Sequence, residues 1–333
     1  MALPPVEVPS GAMRFNSDSQ KLEYWDGAQW LQVSTKETLT GGARGLWAGG
    51  ASPTIGNIID YVTIATQGNA IDFGDLTQTR FTLAGCASKT RGLWGGGYSP
   101  TEHNIIDYVT IASTGNALDF GDLNAPSYYR FTSSLSDSIR GLWAGGYGAP
   151  SRKNTIDFVT ISSTGNATDF GDLTAAKAGV SGCSSPTRGI FAGGNTPTTL
   201  NVIDYVTIQS TGNAVNFGTL TGVRSSFAAC SNSIRGVFGG GGTPTAVNII
   251  DFITISTLGN ATDFGDITTA TGGGPAGCSS PTRGLFGGGD VAPLNVNTIE
   301  FITISTLSNA TDFGDLTQGR RFLASLSNAH GGL

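Results

Sequence analysis

Carboxylates are the side chains best suited to hold a cation or move a proton, and in this 333-residue chain they recur at fixed spacing. Asp60, Asp107, Asp157, Asp204, Asp251 and Glu300 each sit between an isoleucine and an aromatic residue. An acid repeated in every unit of a chain satisfies backbone donors more readily than it builds one reactive centre, so the six are assigned to structure. Asp-Phe-Gly-Asp runs at 72–75, 119–122, 169–172, 263–266 and 312–315 contain a known magnesium-binding triplet. Neither a phosphate loop nor a twelve-residue calcium loop accompanies them. The fourth unit carries Asn216 and Thr219 in place of the acids, as a turn within the unit would tolerate. No metal and no cofactor is expected.

Other reactive residues are sparse. The two histidines, His103 and His330, have no repeated acid or base beside them, and no Gly-x-Ser-x-Gly elbow is present. A non-enzymatic protein is expected. Gly-rich runs at 95–97 and 239–242 lead into no helical pattern and are read as strand ends rather than phosphate loops. The four cysteines, Cys86, Cys183, Cys230 and Cys278, share one place in four repeats. A disulfide framework does not follow a repeat register, so free buried thiols in a reducing compartment are expected.

The elements that carry these residues belong to one unit repeated six times, starting at Arg44, Arg91, Arg140, Arg188, Arg235 and Arg283. Each reads Arg-Gly-aliphatic-aromatic-x-Gly-Gly, a variable segment, Ile-acid-aromatic-Val/Ile-Thr-Ile, then Asn-Ala-x-Asp/Asn-Phe-Gly. The period of about 48 residues suits a four-stranded propeller blade and exceeds leucine-rich or ankyrin repeats. Fifty glycines with abundant Val and Ile exclude helical repeats. Four strand candidates lie in each unit, separated by Gly, Ser, Thr, Asn and Pro clusters.

The double glycine, the aromatic after the acid and a second aromatic resemble the kelch repeat family across residues 44–333. The second aromatic is a phenylalanine, not the usual tryptophan: Phe73, Phe120, Phe170, Phe217, Phe264 and Phe313 each follow the first by twelve residues. The resemblance implies an all-β, six-bladed β-propeller of four-stranded kelch-like blades. The chain enters at a second strand, and the missing first strand recurs at Arg321–Asn328, so Phe322–Ser327 is expected to pair with Leu46–Trp47. The turns joining strands one to two and three to four barely vary and would share a face with both chain ends. The other loops vary and would form the opposite face.

Residues 1–35 are expected to hold a small three-stranded β-meander, residues 36–43 a linker, and residues 44–333 the propeller. So small a sheet is marginal alone, which makes Phe15, Tyr24, Trp25 and Trp30 candidates for attachment or oligomerisation. The run Ser-Gly-Ala-Met-Arg-Phe-Asn, followed by Leu-Glu, Gly and Trp, resembles short modules of tailed-phage virion proteins, particularly fibres and appendages of marine phages. That resemblance implies a virion protein assembled in the host cytoplasm, a homo-oligomer bound to other virion proteins through its N-terminal segment.

Divergence between units concentrates in the second and third, where Tyr98, His103, Tyr128, Tyr129, Tyr147, Arg152 and Lys153 are candidates for binding a host-surface glycan or protein. The expected role is a tail-fibre or appendage head; the alternatives are a decoration or adaptor docking other virion proteins, and a free kelch-like lectin or scaffold. A formal net charge of −6 with dispersed Lys and Arg argues against nucleic-acid binding. No basic-then-apolar leader and no apolar run of about 18 residues is present, so neither secretion nor membrane insertion is expected. Three Asn-Ala-Thr triplets at 166, 260 and 309 are accordingly repeat register rather than glycosylation sites.

Overall fold

The computed structural model describes residues 8–16, 21–32, 43–124, 133–148 and 150–330. Two compact units divide the chain, Met1–Leu39 and Thr40–Leu333. Most of the expected linker, residues 36–42, lies outside the described residues.

In the first unit, Met13–Asn16, Lys21–Trp25 and Trp30–Gln32 form an antiparallel sheet in chain order. Asp26 shapes the second turn, its Oδ1 accepting from the Ala28 and Gln29 amides at 2.8 Å each, while Gly27 takes φ +103°. Strand register sorts the side chains. Met13 lies opposite Tyr24, and Phe15 opposite Leu22, so these four share one face, all of them exposed. Arg14, Glu23, Trp25 and Trp30 take the other, where Glu23 is buried.

The second unit is all-β, made of six antiparallel sheets with four principal strands each. Within a sheet the strands follow chain order, as in Ala84–Ala87, Arg91–Gly95, Ile105–Thr110 and Leu118–Asp122 of sheet II. Sheets III to VI begin at Ser133, Ser181, Ala228 and Ala276. Sheet I joins the two extremes of the unit: Ala324–Ser327 pairs with Arg44–Ala48, setting Leu326 opposite Leu46 and Ser325 opposite Trp47. The expected pairing of Phe322–Ser327 with Leu46–Trp47 is therefore present, starting two residues later.

Each sheet repeats one packing scheme. The aromatic after the acid meets the second aromatic edge to face, with centroids 5.7 Å apart for Tyr61 and Phe73 and 5.9 Å for Phe252 and Phe264. The arginine of Arg-Gly covers the first ring from its other side, 4.9 Å from Tyr61 for Arg44 and 4.9 Å from Phe301 for Arg283. Its glycine is sterically required by the preceding sheet. A Cβ on Gly45 would stand 2.6 Å from Cys278 Sγ, and one on Gly141 2.6 Å from Cys86 Sγ. All four cysteines are free and buried, as their repeat register suggested.

First strands lie beside first strands of the next sheet, from sheet I through sheet VI and back to sheet I. Serine hydroxyls bind them: Ser136, Ser184, Ser231, Ser279 and Ser327 donate to the carbonyls of Ala87, Ser136, Ser184, Ser231 and Ser279 at 2.6–2.8 Å. The equivalent residue in sheet II is Ala87, and there His330 Nε2 lies 3.2 Å from both Ser136 Oγ and the Ala87 carbonyl.

Outer strands are covered in turn by the neighbour's Gly-Asn-Ala segment. The Gly115 and Ala117 amides donate to the Phe73 and Asp75 carbonyls, and Asn116 Oδ1 accepts from the Asp75 amide. This occupies an edge that would otherwise be open to pairing with another chain. Two sequence expectations change here. The Asp-Phe-Gly-Asp runs are fourth strands rather than turns, because their hydrogen-bonding partners are the third strand on one side and this segment on the other. Between second and third strands most units also carry a further two-residue hairpin, such as Tyr147–Gly148 with Ser151–Arg152, too short to leave a periodic signal.

Candidate functional site

The repeated acids lie at the inner end of a buried polar frame in each sheet. Asp60 Oδ1 accepts from the Thr317 hydroxyl at 2.7 Å, and its Oδ2 faces Arg320 Nη2 at 2.6 Å. The same guanidinium donates to the carbonyls of Gly49, Ile58 and Trp47 at 3.0, 2.8 and 3.4 Å. Arg80 repeats this arrangement on Asp107, Gly96, Ile105 and Trp94, and Arg224 on Asp251, Gly240, Ile249 and Phe238. Lys177 Nζ reaches Asp204 at 2.9 Å. Burial pushes the guanidinium pKa of Arg80, Arg224 and Arg320 down, while the facing carboxylate pushes it back up.

These cations come from the connector that leads into the sheet, five residues beyond the end of the preceding fourth strand. The structural assignment of the repeated acids stands, but their partner was missed. The signal was present in Arg80, Lys177, Arg224 and Arg320, and a three-residue insertion before Arg130 obscured it. Among the described residues no group of three or more His, Cys, Asp or Glu side chains could hold a metal ion.

An open cavity of the second unit lies among the connectors. It measures about 620 Å³ and is lined by Tyr147, Arg152, Asn195, Thr199, Ser225 and Phe322, among others. Its walls come from the short hairpins and from the segments leading into first strands. Those segments share a left-handed residue two positions past the buried cation: Thr82, Gly179, Ser226 and Phe322 have φ of 59°, 67°, 55° and 53°. They are hydrogen-bonded in series, Thr82 to Phe322 and Ser226 to Gly179 at 2.8 Å each. Non-glycine residues held at such φ carry strain of about 1–2 kcal/mol each, which a firmly packed site can sustain.

Of the sequence-based recognition candidates, Tyr147 and Arg152 come together on this cavity. They are paired across the hairpin, Tyr147 donating its hydroxyl to the Pro150 carbonyl at 3.3 Å and Arg152 Nε donating to Asn195 Oδ1 at 2.8 Å. Lys153, half-buried, closes the hairpin through its amide, which donates to the Gly146 carbonyl. Tyr98 and His103 do not line the cavity. Tyr98 packs edge to face on Phe81 with centroids 5.7 Å apart, and His103 Nε2 lies 2.8 Å from the Ser99 carbonyl inside its own loop. Tyr128 and Tyr129 lie outside the described residues. Sequence reasoning missed Phe322, Asn195 and Thr199, which carry no distinguishing pattern.

The attachment candidates divide between faces. Phe15 and Tyr24 project with Met13 and Leu22 from the exposed face, Phe15 being 66% exposed. Trp25 and Trp30 pack on one another across the sheet, centroids 5.5 Å apart, with the Arg14 guanidinium 4.2 Å from the Trp30 ring. Arg14 is held in turn by Glu23 at 2.9 Å. Compared with known proteins, the chain matches no family model and no curated protein sequence.

Proposed function

We propose that the six sheets are blades of a closed six-bladed β-propeller and that the protein is a non-enzymatic virion component, a tail-fibre or appendage subunit recognising a host-surface saccharide. Pairing of Ala324–Ser327 with Arg44–Ala48 supports the closed architecture, as does the cyclic succession of first strands. The observation that carries the recognition role is the connector cavity of about 620 Å³, where Tyr147, Phe322, Arg152, Asn195, Thr199 and Ser225 combine aromatic surface with hydroxyl, amide and guanidinium groups. Sugars are held by that combination, apolar ring faces on aromatics and hydroxyls on planar polar groups. Assignment to a virion rests on the resemblance of the N-terminal segment.

A second reading, a decoration or adaptor protein that touches no host molecule, is favoured by the exposed Met13, Phe15, Leu22 and Tyr24 face, which suits a protein partner. Glycan arrays and host cells titrated with the purified full chain separate the two. The recognition role predicts saturable binding that Tyr147→Ala with Arg152→Ala weakens about tenfold or more without changing Tm. Absence of saturable binding, with tight incorporation into virions, would leave the adaptor reading and remove the first.

A further inference from the structure

Sheet VI departs from sheets I, II, IV and V, each of which receives a buried cation from the connector before it. Its acid is Glu300, and five residues past Asp266, where the other connectors place Arg80, Lys177, Arg224 and Arg320, stands Thr271. The receiving frame is nonetheless conserved in geometry. Phe286 is registered with Glu300 as Trp47 is with Asp60, and the Gly288 amide donates to the Thr298 carbonyl at 3.1 Å as Gly49 does to Ile58 at 3.0 Å. Phe286, Gly288, Thr298 and Glu300 thus correspond to Trp47, Gly49, Ile58 and Asp60, the residues whose oxygens hold the Arg320 guanidinium.

Those four residues line a cavity of about 60 Å³, together with Thr269, Thr271, Pro275 and Val296. Two independent features mark it as built for a ligand. Thr271, 7% exposed, has a buried Oγ1 without a hydrogen-bond partner. Glu300, also 7% exposed, accepts from the Thr268 amide and hydroxyl, and among the described residues no basic side chain pairs with it. Burial pushes its pKa up, reinforced by the charge of Asp312 and opposed by the Thr268 amide. Exposed Thr269 and half-buried Val296 lie at the cavity's outer side.

We propose that this cavity is a binding site for a small guanidinium-type cation, which takes the place that Arg320, Arg80 and Arg224 occupy in the other sheets. A guanidinium matches the frame in shape as well as charge, since its planar N–H fork is what the corresponding carbonyls and carboxylate hold at 2.6–3.4 Å elsewhere in this molecule. A divalent metal fits poorly, because calcium takes six to eight oxygens at about 2.3–2.6 Å and only one carboxylate is present. The cation can arrive as a free alkylguanidinium or as the arginine side chain of another protein; both present the same fork. This site is separate from the connector cavity lined by Tyr147 and does not depend on the recognition role.

Thermal unfolding and isothermal titration of the full chain with methylguanidinium test the assignment, against sodium chloride at equal ionic strength. Guanidinium salts ordinarily weaken folded proteins, so a saturable rise in Tm, on the order of 2 °C at tenfold excess over Kd, is a distinctive result. One-to-one binding is expected. Glu300→Gln should weaken it at least about tenfold, and Thr271→Val, which keeps the volume but removes the hydroxyl, several-fold. Thr271→Arg should abolish the response by filling the site internally. A glycyl-arginyl-glycine amide forms the second arm: binding of methylguanidinium alone identifies a free small molecule, and comparable binding of the peptide identifies a protein side chain. Equal Tm responses in the wild type, Glu300→Gln and Thr271→Arg, or no heat of binding to the wild type, would overturn the proposal and leave a cavity of a size that holds two waters.

Discussion

Arg320 Nη2 lies 2.6 Å from Asp60 Oδ2, joining side chains 260 residues apart in a contact that is almost wholly shielded from water. The pair belongs to the sheet that also joins Ala324–Ser327 to Arg44–Ala48, so the two ends of the larger unit are fixed by charge as well as by backbone pairing.

Removing one member of that pair leaves the other buried without its counter-charge. Arg320→Met is expected to cost about 3–5 kcal/mol, read as a shift of the urea midpoint at constant slope. Arg320→Met combined with Asp60→Leu should recover much of the loss, since an apolar pair of similar volume avoids the desolvation of both ions. A loss under about 1 kcal/mol in the single variant would contradict the role assigned to the pair.

Gly45 and Cys278 are coupled by volume. A Cβ at residue 45 would meet Cys278 Sγ at 2.6 Å, so Gly45→Ala is expected to destabilise by about 1–3 kcal/mol. In the Cys278→Ala background the same substitution should cost markedly less, and a double-mutant cycle measures the difference. Additive effects would mean that the arginine-glycine motif is retained for another reason.

His330 gives stability a pH dependence. Burial pushes its pKa down to about 4, with Asp137 and the Ala87 carbonyl acting in the opposite direction. The unfolded value is about 6.5, so between the two the unfolded chain binds the proton more strongly. Stability is complete above about pH 6.5 and falls as the pH drops toward 4. The gap between the two values bounds the loss at about 3 kcal/mol. Chemical denaturation of wild type and His330→Gln at pH 7 and pH 4.5 should show a smaller drop in the variant; parallel drops would exclude His330 as the source.

Deleting residues 322–333 removes Leu323, Ala324 and Leu326 from the core and opens the Arg44–Ala48 edge. The leucines alone account for about 3–6 kcal/mol of burial. A large fall in the unfolding midpoint and a tendency to associate through the open edge are expected, both measurable by denaturation and light scattering. A truncated chain as stable as the parent would mean that sheet I does not depend on its first strand.

Much of this was legible in the sequence because a repeat prints each strand six times. Ile-Asp-Tyr-Val-Thr can be recognised at Ile59 and again at Ile106, and the unit lacking a first strand points to its replacement at Ala324. Two-residue hairpins such as Tyr147–Gly148 are below the length at which alternation is visible. The buried cations were hidden for a different reason. Lys177 substitutes for arginine and Thr271 for both, so the position reads as variable although its charge is nearly constant. For the recognition site, a tyrosine in a loop is the same letter whether it faces solvent or, as Tyr98 does, packs on Phe81.

The hydroxyls of Ser136, Ser184, Ser231, Ser279 and Ser327 all donate in the same sense, each to a carbonyl of the sheet before it, and so do Ser134 to Gly85 and Ser325 to Gly277. Their hydrogens are already committed to the protein. A solute entering between these strands would have to compete with bonds of 2.6–2.8 Å to obtain a donor. Each hydroxyl is therefore one link of a clasp, and replacing any of these serines by alanine takes the donor from a carbonyl of the sheet before it.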